Sequence, residues 1–348
     1  MGMSLSSISS ATTRAAAGIG VLVAALTVGA CHADAAQATK TRPLLTTAQF
    51  AFYSDFATNL NQTLIADFVA RRDGRPGAFD AEKDKTCFDR LPSTAREGWG
   101  RAVEYYRTNQ ASQGQRVLLR LELAGLVDRA LLTNPQDRTT LNAFARARDE
   151  AGPAYRQCKW SAQNEANRAW VDRLQPLLRK HSSALGEQLP KMFQTPWRGL
   201  PFRVDVVDQV GFSGGNSASD DSGQLHILVS STNPDNQGLS ALEVVFHEAC
   251  HFLAQPGGPL SNALNTAAKT AGVTLPRDVL HQVHFFIAGE AVRRSFERAG
   301  QPYTPYLYSL KLFSDGFRDA ARRIWPAYMD GTRTLDQAAA ELVAAFRS

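Results

Sequence analysis

Apolar and polar residues follow a helical period through most of the first half of the chain. From Thr46 to about Lys191 the sequence is rich in Ala, Leu, Arg, Gln and Glu and has few β-branched runs, which is typical of helices. Turn residues interrupt this pattern at 72–77 and at 134–135. We therefore predict a helical domain over residues 36–197. Its clearest amphipathic segment is Arg116 to Leu132, with a stripe of Leu119, Leu123, Leu126 and Ala130.

The pattern changes near Pro196, where a period of two replaces the helical period. Apolar residues alternate with mostly polar ones in two short runs, at 202–206 and, less strictly, at 225–229. This alternation predicts two strands joined by a Gly-rich loop at 211–223. The loop carries no nucleotide-binding pattern. If the second strand, Leu225 to Ser231, forms a sheet edge, an extended peptide could pair with it.

Helical patterns return after the second strand. Ser240 and Glu243 form an S-x-x-E capping box, which predicts a helix that begins at Ala241 and is ended by residues 255–258. The fold class is therefore α+β and mostly helical, with a small sheet in a second domain at 198–348. Further helices are predicted from Pro276 to Ala299 and from a second capping box, Thr334 to Gln337, to about Phe346.

The N-terminus has the pattern of an export signal. Arg14 is followed by sixteen small or apolar residues and then by Cys31, which is typical of a cleaved signal rather than a membrane span. Val28 to Cys31 resembles a bacterial lipobox, although Ala33-Asp34-Ala35 offers an ordinary peptidase site instead. We expect residues 1–35 to be removed or processed. The lipobox reading predicts a periplasmic, outer-membrane lipoprotein whose only membrane contact is a lipid on Cys31.

Cysteine usage and charge agree with an exported protein. Cys87 and Cys158 could pair in an oxidising compartment, whereas Cys250 is expected to be a small buried side chain. The formal net charge is +5, but the basic residues are scattered rather than clustered. Nothing in this distribution predicts a nucleic-acid partner.

The motif H-E-x-x-H occupies positions 247–251. Side chains four apart on a helix share a face, so His247 and His251 can present two imidazoles to one metal ion. Glu248 follows the first ligand and is placed to act as a general base. The pattern predicts a Zn²⁺ site, because zinc commonly takes two histidines from such a helix.

A catalytic zinc site normally takes a third protein ligand, and two residues of the 276–299 helix compete for this role. Glu290 continues an apolar row of that helix, so its carboxylate needs a partner, and we predict it as the third ligand. Arg293 and Arg294 could pair with it instead. His284 lies on an adjacent apolar row and would give a three-histidine site; otherwise we expect it to contact substrate. His281 is expected to be a packing residue.

The combination of H-E-x-x-H with a glutamate on a later helix resembles the gluzincin class of zinc metallopeptidases, over about residues 202–300. The resemblance implies a zincin-like domain at 198–348 and a peptide or protein substrate held along a strand edge. It also implies a tyrosine that stabilises the oxyanion, for which we choose Tyr306. The context around Glu290 and the long connection from His251 depart from thermolysin.

The predicted function is therefore that of an exported zinc metallopeptidase in which Glu248 activates a water. Two alternatives belong to other classes. One is a zinc amide hydrolase of the envelope that does not cleave peptides. The other is a non-catalytic lipoprotein that binds a partner through its helical half, for which Glu248 would have no use.

Overall fold

The computed structural model describes residues 42–113, 135–210, 214–219 and 225–346. Over these residues helices predominate around one small sheet, which confirms an α+β, mostly helical fold. The first helices are α1 (Phe56–Arg72), α2 (Glu82–Asp89), α3 (Ser93–Gln113), α4 (Pro135–Tyr155) and α5 (Ser161–Phe193). One turn of π-helix, Arg156–Trp160, joins α4 to α5.

Five strands form the mixed sheet. They are β1 (Leu45–Thr46), β2 (Phe50–Tyr53), β3 (Phe202–Val207), β4 (Gly215–Ser219) and β5 (Leu225–Ser230), and their order in the sheet is β1-β2-β3-β5-β4. The central strands β2, β3 and β5 are parallel, and β1 and β4 run antiparallel at the two edges.

The predicted strands at 202–206 and 225–231 are confirmed, but β5 is an interior strand. The edge next to it is β4, which lies within the segment predicted as a loop. Its sequence, Gly-Asn-Ser-Ala-Ser, has little strand propensity. Pairing with β5, with Gly215 opposite Val229 and Ser219 opposite Leu225, makes it a strand. Tertiary context thus overrides local preference here.

The remaining helices follow the sheet and carry the predicted motif. The first of them, Ser240–Cys250, begins one residue before the prediction and ends earlier than expected. The Thr334 capping box is confirmed by hydrogen bonds in both directions with Gln337. These helices are α6 (Ser240–Cys250), α7 (Pro259–Ala271), α8 (Val279–Arg298), α9 (Tyr306–Ser309), α10 (Asp315–Met329) and α11 (Leu335–Ala345).

The predicted capping box of α6 is wrong. The N-cap position is Leu239, which makes no side-chain capping bond. Glu243 is instead fully buried and accepts hydrogen bonds from the Tyr303 hydroxyl (2.5 Å) and from the main-chain N–H of Tyr306 (3.2 Å). The glutamate ties α6 to the segment before α9, so tertiary partners replace the local capping contact.

Two main hydrophobic cores hold these elements, beside a small third cluster of Val207, Val210, Ala218 and Leu228. The larger one packs the inward-facing residues of β3 and β5 against α5, α6, α8, α10 and α11, and the smaller one lies among α1, α3 and α4. Cys87 and Cys158 form a disulfide that joins α2 to the π-helical turn. Cys250 is a free, fully buried thiol in the larger core, as expected.

The predicted domain boundary at 197/198 falls between β2 and β3, which are paired, and α5 packs in the same core as α6 and α8. The sheet and the larger core thus contain residues from both sides of this boundary. The two-domain division stays a prediction. The Arg116–Leu132 stripe and the signal at 1–35 lie outside the described residues. Within the described ranges, no helix is long and apolar enough to cross a membrane.

Candidate metal centre

Four histidines from two helices come together beside the sheet. His247 lies on α6 and His251 at its C-cap, while His281 and His284 lie one turn apart on α8. One ring nitrogen from each of the four lies within 4.8 Å of those of the other three, a spacing that could hold a metal ion. His247 and His284 are buried, and the other two are partly exposed.

The ring nitrogens of the two buried histidines are suitable for coordination. The Nε2 atom of His284 lies 2.8 Å from the main-chain oxygen of His247. A carbonyl can only accept, so Nε2 carries the proton and Nδ1 of His284 keeps its lone pair. In His247, Nδ1 is buried and has no hydrogen-bond partner among the described residues. Such a main-chain contact is what orients a ligating histidine in known metal sites.

The electrostatic environment favours neutral rings. Burial lowers the pKa of His247 and of His284 well below the ordinary imidazole value, and the neighbouring histidines lower it further. Neutral imidazole is the form that binds a metal. The donor set is four histidines, of which burial holds His247 and His284 neutral, and Nδ1 of His247 is buried without a partner among the described residues. This set fits a metal ion such as zinc.

Glu248 lies beside this group. Its side chain is buried, its Oε2 atom has no hydrogen-bond partner among the described residues, and that atom is 3.8 Å from Nε2 of His251. Burial raises the pKa of Glu248 to about 7, and Ser217 on β4 partly offsets this. A carboxylate with a pKa near neutrality can both accept and return a proton.

The backbone of β4 passes close to Glu248. A Cβ atom added at Gly215 would lie 2.6 Å from Oε1 and 2.9 Å from Cγ of Glu248. Glycine therefore lets the edge strand approach the carboxylate. Glu248 and three of the four histidines line a cleft of about 400 Å³. Its walls include Gly215, Asn216, His247, Glu248, His251, His281, Phe285, Tyr306, Leu310 and Leu312.

The structure does not bring Glu290 to the histidines. Its carboxylate accepts two hydrogen bonds from Arg293, at 2.7 and 2.8 Å, and one from Arg294 at 2.7 Å. Burial alone would raise the pKa of Glu290, but these arginine contacts outweigh it and hold the pKa below its ordinary value. Glu290 lies six residues beyond His284, about 9 Å along the helix and on another face, and it lines a different cavity. The arginine pairing is the arrangement found.

Tyr306 lines the cleft, but its hydroxyl is engaged elsewhere. It donates to the main-chain oxygen of Asp235 at 2.6 Å and lies 3.1 Å from Oδ1 of Asn236. The side-chain amide of Asn236 in turn donates to the main-chain oxygens of Gly214 and Ser230. Tyr306 thus supports the segment before α6, and we assign it no oxyanion role.

His281 was expected to be a packing residue, but it belongs to the four-histidine group. Its ring lies 5.1 Å from that of His251 and 5.5 Å from that of His247, measured between centroids. The signal that could have found it is H-x-x-H at 281–284, since residues three apart on a helix share a face. His284, the alternative to Glu290, also belongs to this four-histidine group.

Comparison of the chain with protein-family models, with curated proteins and with solved structures finds no match.

Proposed function

We propose that this protein is a zinc-dependent metallopeptidase. His247, His251 and His284 would hold the metal, and Glu248 would act as general base. The observation that carries the proposal is the meeting of four histidine nitrogens within 4.8 Å, next to a buried carboxylate and open to a cleft. This ligand set replaces Glu290 with His284.

Three protein ligands suit a catalytic site, because a fourth position must stay open for water or substrate. Of the two histidines on α8, His284 is buried and has a fixed tautomer, whereas His281 is partly exposed and lines the cleft. We therefore assign His281 to the substrate side of the metal. Zinc supplies polarisation of a carbonyl and an acidified water.

The chain's own groups would handle the proton. Glu248 is adjacent to His247 in sequence and faces the cleft, so it can take a proton from the attacking water and pass it to the leaving amine. Its burial, and an Oε2 atom without a hydrogen-bond partner among the described residues, keep it available for that role. No other carboxylate lines the cleft among the described residues except Asp235.

The edge strand supports a peptide substrate. β4 pairs on one side with β5 and ends the sheet on the other, and Gly215 and Asn216 of β4 lie in the cleft wall. An extended chain could add to such an edge through main-chain hydrogen bonds. This feature favours peptides over small amides.

The disulfide between Cys87 and Cys158 supports a site of action outside the cytoplasm, because such bonds persist in oxidising compartments. We propose that the protein is exported, with the lipid on Cys31 as its anchor. Labelling of growing cells with a fatty-acid analogue would test this, since Cys31→Ser should abolish the label.

The central experiment is metal analysis of the purified protein together with cleavage of a mixed peptide library. We expect one zinc per chain in the wild type and in Glu248→Gln, and cleavage about 10²- to 10⁴-fold slower in the variant. Glu165→Gln, an exposed glutamate on α5, is the matched control and should cleave normally. A zinc-free protein, or equal cleavage by Glu248→Gln, would contradict the proposal.

A further inference from the structure

One wall of the cleft is apolar. We call it the apolar wall, and it consists of Phe285, Leu310 and Leu312, which line the cleft, and of Phe313, which packs against Phe285. The ring of Phe313 lies 5.6 Å from that of Phe285 and 6.2 Å from that of His281. Leu310 is 41% exposed, and in the described part of the chain only one other large hydrophobic side chain is comparably exposed. The wall therefore presents apolar surface next to the histidines.

The backbone of this wall is held in an unfavourable conformation. Lys311 has φ of 50° and Phe313 has φ of 61°, the left-handed region that residues with a Cβ seldom adopt. The two residues flank Leu312. Strain of this kind persists where surrounding contacts impose it, and it concentrates at ligand sites.

Arg318 on α10 supplies those contacts. Its Nη1 atom lies within hydrogen-bond distance of three successive carbonyl oxygens, at 2.9 Å from Lys311, 2.9 Å from Leu312 and 2.5 Å from Phe313. Its other terminal nitrogen pairs with Asp315, and its side chain is only 13% exposed. Three carbonyls aimed at one guanidinium fix the path of the segment.

We infer that the apolar wall binds a large apolar side chain of the substrate next to the scissile amide, and that Arg318 is the positioning residue that holds the wall in place. This inference rests on the proposed hydrolase function. An apolar group from the substrate would remove Leu310 and its neighbours from water, which favours binding in proportion to the area covered. No covalent step is involved.

The test compares two hydroxamates that bind metal through the same group. Acetohydroxamate and 3-phenylpropanohydroxamate differ by one benzyl group, and their affinities for the zinc-loaded protein are measured by calorimetry. We expect the aromatic probe to bind about tenfold or more tightly. In Leu310→Ala, which removes an exposed side chain and spares the core, this ratio should fall severalfold while acetohydroxamate binds as before.

Arg318→Gln should lower the same ratio toward one without changing the zinc content. Arg318→Lys should restore part of it, because lysine keeps a charged donor beside the carbonyls. Arg323→Gln is the matched control, an exposed arginine on the same helix, and should leave the ratio at the wild-type value. In the peptide library, large apolar residues should be enriched on one side of the cleavage site.

Equal affinity of the two probes for zinc-loaded wild type would overturn the inference and leave the metal centre standing. The inference would also be overturned if the ratio of the two probe affinities were unchanged in both Leu310→Ala and Arg318→Gln. A protein that binds neither zinc nor acetohydroxamate would overturn the proposed function, and this inference with it.

Discussion

Two polar clusters that include residues of α8 differ in how their buried groups are compensated. In the histidine cleft, formed by His247, His251, His281 and His284, burial holds His247 and His284 neutral, and Nδ1 of His247 has no partner among the described residues. The arginine-bound cluster, Glu290 with Arg293 and Arg294, consists of full charges in which both carboxylate oxygens accept hydrogen bonds. Hydrogen-bonded carboxylate oxygens hold structure together, whereas a buried ring nitrogen without a hydrogen-bond partner can still bind a ligand.

The largest expected effect is on metal binding. It should follow substitution in the histidine cleft and not substitution in the arginine-bound cluster. His284→Ala should lower zinc affinity by more than 100-fold, beyond the typical cost of losing an outer contact of a metal site. Glu290→Gln should leave zinc affinity unchanged. Both affinities can be measured by competition with a chromophoric chelator. Zinc loss in Glu290→Gln alone would restore that residue as a ligand.

The next effect is on stability, and it should show the reverse ranking. Glu290→Gln removes the buried carboxylate that both arginines share and leaves Arg293 with Glu297 and Arg294 with Asp330, two exposed partners. It should lower the free energy of unfolding by about 3 kcal/mol, at the low end for buried pairs because both arginines are partly in water. Urea denaturation would measure this. Glu297→Gln is the control: its side chain is 67% exposed, and among the described residues it forms an ion pair with Arg293 alone, so it should cost less than about 1 kcal/mol.

This contribution of Glu290 also has a defined pH dependence. Its pKa is lowered in the folded protein, so the stabilisation is fully present above the ordinary glutamate pKa and is lost as the pH falls through the folded value. Glu290→Gln should therefore approach the wild type in stability under acid conditions. A constant difference at all pH values would contradict the ion-pair account.

Glu243 contrasts with Glu290, because it is a buried glutamate whose hydrogen-bond donors are neutral. They are the Tyr303 hydroxyl and the main-chain N–H of Tyr306. Burial raises its pKa from 4.5 to about 7, so folding takes up a proton between these values. Stability should fall as the pH rises through this window, by up to about 3 kcal/mol. Glu243→Gln should remove this contribution, whereas the one from Glu248, whose pKa burial also raises to about 7, should remain. Urea denaturation of both proteins between pH 4.5 and 7.5 would show it, and parallel curves would contradict it.

The smallest effect concerns the position of Glu248 beside β4. In Gly215→Ala the new methyl would press on Oε1 and Cγ of Glu248, displacing the carboxylate. We expect peptide cleavage to fall about 10- to 100-fold with zinc content unchanged. Gly316→Ala, where a Cβ meets nothing within 4 Å, is the control. Full activity in Gly215→Ala would show that this close approach has no role in the proposed catalysis.

The sequence indicated much of the fold because the signals are local. Helical periodicity, the alternation in β3 and β5 and the Thr334 capping box each depend on neighbours along the chain. The pairing of Glu290 was also visible locally, since arginines three and four residues later share its helix face. Because Glu290 continues an apolar row, the sequence also indicated a metal ligand at this position, yet a charged partner on the same helix satisfies a carboxylate equally well.

By itself, the sequence determined that His247, Glu248 and His251 share a short helical segment, because residues four apart on a helix are neighbours whatever the rest of the chain does. Only the tertiary structure decided what faces them. The packing of α8 on α6 brings His281 and His284 forward and turns Glu290 away. Pairing with β5 makes a strand of the Gly-Asn-Ser-Ala-Ser segment beside Glu248. Both outcomes depend on contacts between segments far apart in the chain, and these are set by packing rather than by local preference.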